Sequence, residues 1–143
     1  MIIRVIDWER QTGKTTLIIN EVLGHNKPEE TIIFTADYNQ AAAYRQRGVE
    51  DNFMVVPFTR NDIMRLTSRK YIYVDEPNFI DIKKIKSFLD ICHPDSIITF
   101  VGTNCVYRGE KKKDTVMSYV SKLARKLDKQ RMAKWGLKPE RAA

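Results

Sequence analysis

At 143 residues, with 43% hydrophobic and 30% charged residues, the chain has the size of one domain, with little left over for a second, and the composition of a globular rather than a disordered protein. No apolar run approaches the roughly 18–20 residues of a membrane helix, and the apolar start Met1–Asp7 is interrupted by Arg4 and Asp7, so it reads as a strand and not as a signal peptide. The net charge of +7 is unevenly spread: residues 1–107 hold 13 Lys+Arg against 14 Asp+Glu, whereas residues 108–143 hold 12 against 4, so the positive excess sits where a polyanion could meet it.

In chain order, short β-rich apolar runs alternate with helical stretches, the pattern of a largely parallel sheet covered on both faces. Strands are predicted at Ile2–Asp7, Thr31–Thr35, Phe53–Phe58, Tyr71–Asp75 and Ser96–Val101. Helices are predicted at Lys14–Leu23, stopped by Gly24, at Asn39–Arg47, stopped by Gly48, and at Arg60–Thr67. A further helix over Asp81–Cys92 carries Ile82, Ile85, Phe88, Leu89 and Cys92 on one face and ends before Pro94. The last, Thr115–Trp135, bears an apolar stripe of Val116, Tyr119, Val120, Leu123 and Leu127 among lysines and arginines. Cys92, Cys105, His25 and His93 are too few and too scattered for a metal cluster and read as ordinary residues of a reducing, intracellular compartment.

Two motifs carry chemistry. Arg10-Gln11-Thr12-Gly13-Lys14-Thr15-Thr16 lies between a strand and a helix. A helix amino terminus offers unpaired N–H groups and a positive dipole end to phosphate. Gly13 would let the backbone close around the anion, Lys14 would reach the β- and γ-phosphates, and the Thr15 hydroxyl would ligate magnesium. The glycine expected five residues before Gly13 is replaced by Trp8. The second motif is Tyr71-Ile72-Tyr73-Val74-Asp75-Glu76, an apolar strand that ends in two carboxylates. At the carboxyl edge of a parallel sheet these would face the phosphate-binding turn, Asp75 holding magnesium and Glu76 polarising the attacking water. A mundane helix start and a solvated strand-ending turn are the plainer alternatives for each motif taken alone.

Together the motifs resemble the Walker A and Walker B pair of P-loop ATPases with a catalytic glutamate. Arg10-Gln11-Thr12-Gly13-Lys14-Thr15 is similar to the Walker A variant of viral terminase large subunits, the motors that package DNA into capsids. The resemblance implies that Arg10 contacts the γ-phosphate in cis. Thr31–Ala41 is similar to the segment that follows Walker A in terminases and helicases. Thr99-Phe100-Val101-Gly102-Thr103-Asn104 resembles their coupling motif, in which Thr103 or Asn104 would sense γ-phosphate. The resemblance implies ATP and Mg2+ as ligands, hydrolysis coupled to double-stranded DNA translocation, a homo-oligomeric ring, a viral portal or other packaging subunits as partners, and the host-cell cytoplasm as compartment. The family's adenine-contacting segment and nuclease domain have no counterpart, so no nuclease activity is expected.

The expected fold is an α/β three-layer sandwich with a five-stranded, mainly parallel P-loop NTPase sheet over residues 1–107. Tyr71–Asp75 is expected between, or beside, the strands ending at Asp7 and Val101. Residues 108–143 form a basic carboxyl-terminal helical segment. Within it Lys111, Lys112, Lys113, Lys122, Arg125, Lys126 and Lys129 are candidates for sequence-independent phosphate contacts, with Tyr119 and Trp135 available to stack on bases; a merely solvated face is the alternative. Arg45, Arg47, Arg60, Arg65, Arg69 and Arg108 are candidates for an arginine acting on a neighbouring subunit's nucleotide. A helicase-like NTPase, a nucleoside or nucleotide kinase and a nucleotide-gated regulatory subunit are the competing functions.

Overall fold

The computed structural model describes residues 1–7, 13–47, 49, 53–58, 69–103 and 115–134. Among these, five strands form a single sheet: β1 (Ile2–Asp7), β2 (Thr31–Thr35), β3 (Met54–Pro57), β4 (Tyr71–Asp75) and β5 (Ile97–Gly102). Every pairing is parallel and the spatial order is β1-β5-β4-β2-β3. The expectation of a mainly parallel sheet thus becomes an all-parallel one. β4 lies beside β5 but not beside β1, because β5 is inserted between them. The central strands β2, β4 and β5 are buried along nearly their whole length, which accounts for their continuous Ile, Val and Phe runs. Edge strand β1 carries exposed Arg4, whose charge discourages further strand pairing.

Among the described residues four α-helices cover the sheet: α1 (Lys14–His25), α2 (Tyr38–Gln46), α3 (Ile82–Ile91) and α4 (Val116–Lys134). Ile18, Ile19 and Val22 of α1, with Ala41 and Tyr44 of α2, pack on Ile33, Val55, Tyr73 and Val101. The opposite layer joins Ile85, Phe88 and Leu89 of α3 and Val116, Met117 and Val120 of α4 to Ile32, Phe34, Ile72, Val74, Ile98 and Phe100. Alternation along each strand sends neighbouring residues to opposite faces, so one sheet serves both cores. Phe34, Phe58 and Phe88 meet edge to face, with centroids 5.2–5.4 Å apart.

Several boundaries differ from expectation for identifiable reasons. α1 runs through Gly24 to His25 and ends at Asn26, whose left-handed backbone (φ 49°) does the capping. Asparagine tolerates that conformation, so the glycine is not needed. α2 begins at Tyr38 because Asp37 caps it, accepting from the Gln40 N–H at 2.9 Å, while the Gln40 side chain accepts from the Ala36 N–H at 3.1 Å. Asp81 caps α3 in the same manner through the Lys83 N–H. The buried α4 stripe includes Met117, which the expected periodicity omitted. Segment 60–67, proposed as a helix, lies outside the described residues.

The topology makes a crevice. Helices after β1 and β2 lie on one face, whereas those after β4 and β5 lie on the other. The chain therefore leaves adjacent strands in opposite directions at β1/β5 and again at β4/β2, and at such switch points the carboxyl edge of a sheet opens.

Candidate nucleotide site

The parallel register levels the strand ends: Asp7 is opposite Gly102, and Asp75 is opposite Val101. Strands are about 4.8 Å apart, so inserting β5 leaves about 10 Å between the axes of β1 and β4. The carboxyl ends of β1, β5 and β4 therefore border one gap.

Gly13 opens α1 with φ 153°, a backbone that side chains disfavour, and its carbonyl accepts from the Leu17 N–H at 2.8 Å. Gly13 has no side chain with which to cap this helix end, and the residues of the first turn, Gly13, Lys14, Thr15 and Thr16, line the cleft. Lys14 is buried, and its ammonium donates to Glu76 Oε1 and Thr103 Oγ1. Glu76 reaches it through a left-handed backbone (φ 51°, ψ 60°), with its own N–H donating to the Val101 carbonyl at 2.9 Å. A non-glycine residue in that region is strained, and the strain turns the chain immediately after the buried strand into the Pro77–Phe79 3-10 turn.

Asp75 is 3% exposed. Its Oδ2 accepts from the Thr15 hydroxyl at 3.1 Å and from the Tyr44 hydroxyl at 2.6 Å, whereas its buried Oδ1 has no hydrogen-bond partner among the described residues. Burial pushes the Asp75 carboxyl above its usual range, opposed by hydrogen bonds from Tyr44 and Thr15; nearby Glu76 adds to the rise. Burial and the adjacent carboxylate likewise raise the Tyr44 phenol, keeping it a donor.

A cleft of about 700 Å³ joins these groups. One wall carries the expected Gly13, Lys14, Thr15, Thr16, Asp75 and Glu76. The other is a face of α2, with Gln40, Ala43, Tyr44 and Arg47 at helical spacing. Sequence reasoning missed this wall, although an i, i+3, i+4, i+7 pattern was there to be read. Arg47, an arginine considered for action on a neighbouring subunit, donates to Thr16 Oγ1 within its own chain. Arg69, considered likewise, is engaged by the carbonyls of Pro28 and Glu29 at 2.9 and 2.7 Å.

The donor set fits magnesium: a buried carboxylate with one oxygen unpartnered, beside a threonine hydroxyl at a helix amino terminus. Among the described residues no group of three or more His, Cys, Asp or Glu side chains could hold a metal alone. Magnesium suits such a site because it keeps several waters and shares phosphate oxygens.

Thr103 is tied to the cleft through Lys14, whose ammonium donates to its hydroxyl. Asn78, which sequence reasoning did not single out, donates through Nδ2 to the Thr103 carbonyl at 2.6 Å and accepts from the Met117 N–H at 3.0 Å, joining the strand end to the start of α4. Lys122, Arg125, Lys126 and Lys129 do not line the cleft; they are exposed along one side of α4, where with Gln130 they border a shallow groove. Arg10, Gln11, Thr12, Asn104, Lys111, Lys112, Lys113 and Trp135 lie outside the described residues. Cys92 is buried in the core, its thiol pushed up to about 12 by burial. Among the described residues no helix is long and apolar enough to cross a membrane.

No protein-family model matches the chain, and no curated protein matches it.

Proposed function

We propose that the chain is a magnesium-dependent P-loop ATPase whose hydrolysis drives movement along double-stranded DNA, as in the packaging motors of the terminase type. The observation that carries the reading is that Lys14, Thr15, Asp75 and Glu76 line one cleft at the carboxyl edge of the sheet, with Thr103 hydrogen-bonded to the Lys14 ammonium. When bound, magnesium neutralises phosphate charge and orients the triphosphate. Thr15 and Asp75 hold the ion, and Lys14 exchanges Glu76 for phosphate oxygens. Glu76, released from Lys14, orients water and accepts its proton. Thr103 senses the change through the same lysine, and Asn78 carries it to α4. The basic side of α4 meets the phosphate backbone without reading sequence. Assembly as a homo-oligomeric ring, a portal or other packaging partner, and a host-cytoplasmic location belong to the same proposal.

A nucleoside or nucleotide kinase is the second reading, favoured by one observation: the cleft extends past the phosphate-binding turn to Gln40, Ala43 and Arg47, where an acceptor could sit. Steady-state phosphate release from ATP, with and without double-stranded DNA across a salt series, separates the two. The motor reading expects hydrolysis without an acceptor, stimulated by DNA at low salt and less so as salt rises. ATP consumption that requires a small acceptor and ignores DNA would favour the kinase.

A further inference from the structure

Asp75 raises a question that its strand does not answer. Two hydroxyl donors, Thr15 and Tyr44, both converge on Oδ2, while Oδ1 stays buried without a hydrogen-bond partner among the described residues. Leaving a buried carboxylate oxygen unpaired is costly, and native structures seldom do so without a use for it. Tyr44 is 1% exposed, and its ring packs in the α1/α2 core, a task that phenylalanine would do equally well. Its hydroxyl is therefore the informative atom, because burying it is unfavourable unless it finds a partner.

The surroundings of Tyr44 point the same way. It lies on the face of α2 that walls the cleft, and α2 is tied to the start of α1 one turn further on by Arg47 donating to Thr16 Oγ1. The amino end of α2 is held by the Asp37 and Gln40 hydrogen bonds directly after β2. The helix is thus fixed at both ends around the point where Tyr44 touches Asp75.

We propose that Tyr44 is a positioning residue for the metal site: its hydroxyl pins Asp75 Oδ2, so that the carboxylate keeps one orientation and Oδ1 is left as the ligand atom for a magnesium ion shared with Thr15 and the nucleotide phosphates. The inference rests on the nucleotide-site reading above and adds a residue outside both sequence motifs. The structure assigns α2 a part in metal binding through this contact. Groups that orient a metal ligand from behind commonly set affinity for the ion even though they never touch it.

The test is the affinity of ATPγS for the intact chain and for Tyr44→Phe, measured by calorimetry once in Mg2+ and once in EDTA. Tyr44→Phe should lose about 10-fold or more of the Mg2+-dependent gain in affinity, and its affinity in EDTA should match that of the parent. An equal Mg2+-dependent gain in both proteins overturns the inference, as does a loss of the same size in EDTA, which a merely structural role would produce. A parent with no Mg2+-dependent gain overturns the nucleotide-site reading itself. Should Tyr44→Phe fail to fold, the parent labelled with 3-fluorotyrosine and bound to ATPγS decides. Mn2+ should then selectively broaden one buried tyrosine resonance, and the absence of any broadened tyrosine resonance contradicts the proposal.

Discussion

Lys14 and Glu76, 62 residues apart in the chain, form an ion pair across the cleft, and the same ammonium also donates to Thr103. The pair occupies both groups: the ammonium that would meet phosphate is held by carboxylate, and the carboxylate that would meet water is held by ammonium. Replacing Glu76 by Gln should therefore reduce kcat by about 100-fold or more through loss of the base. Affinity for Mg-ATP should meanwhile rise, because Lys14 no longer has a competing anion. Turnover and equilibrium binding on the same preparation check both halves.

The backbone of Glu76 supplies a second prediction. Its φ of 51° lies in the left-handed region, which costs an L-residue about 1 kcal/mol or more relative to glycine. Glu76→Ala and Glu76→Gly lose the same ion pair, so the difference between them isolates the backbone. Glu76→Gly should be the more stable by about 1 kcal/mol in urea unfolding. Equal midpoints would show that position 76 is not strained.

Asn78 bridges the Thr103 carbonyl and the Met117 N–H, while a Cβ on neighbouring Gly102 would come within 3.0 Å of both Met117 Sδ and Pro77 Cδ. The end of β5, the Pro77–Phe79 turn and the first turn of α4 are packed together here. Asn78→Ala should cost about 1–3 kcal/mol of stability by orphaning both partners. It should also reduce the stimulation of ATPase by DNA more than it reduces the basal rate, as read from paired assays.

Glu21 gives the pH dependence. Burial raises its carboxyl, but the hydrogen bonds from Arg4 and Tyr73 outweigh that, so the net shift is downward. A lowered native pKa means that the unfolded state binds more protons in acid. The stabilisation from Glu21 is thus present above the ordinary carboxylate range and is lost as pH falls through the native value. Glu21→Gln should melt below the parent at pH 7, and the gap should close in acid.

The exposed side of α4 bears on the proposed grip on nucleic acid. Replacing Lys122, Arg125, Lys126 and Lys129 together by Ala should weaken DNA binding alike on unrelated sequences and leave thermal stability unchanged. The slope of log affinity against log salt should flatten by about 0.9 for each phosphate that is no longer neutralised. An unchanged slope would assign this face to solvent alone.

What could be read beforehand follows the range of the forces involved. β1, β2 and β4 have the bounds expected from their apolar runs, and α3 buries Ile85, Phe88 and Leu89 as its periodicity requires, with Cys92 buried just past its end. These are local signals. The two short motifs were legible because each is contiguous in sequence. Tyr44 and Asn78 were not, since their partners lie 31, 25 and 39 residues away and nothing adjacent marks them. The insertion of β5 between β1 and β4 likewise depends on how strands pair, which no single segment encodes. Gly24 misled because an exposed glycine with nothing near its Cβ position can be carried within a helix.

The central claim is that Lys14 and the Asp75–Glu76 pair bind and hydrolyse Mg-ATP in one cleft. Single-turnover release of labelled γ-phosphate, with bound nucleotide counted in the same samples, tests it in the parent, Lys14→Ala and Glu76→Gln. The account expects release by the parent, neither binding nor release by Lys14→Ala, and binding without release by Glu76→Gln. Release by Glu76→Gln at the parent's rate, or nucleotide binding that ignores Lys14, would contradict it.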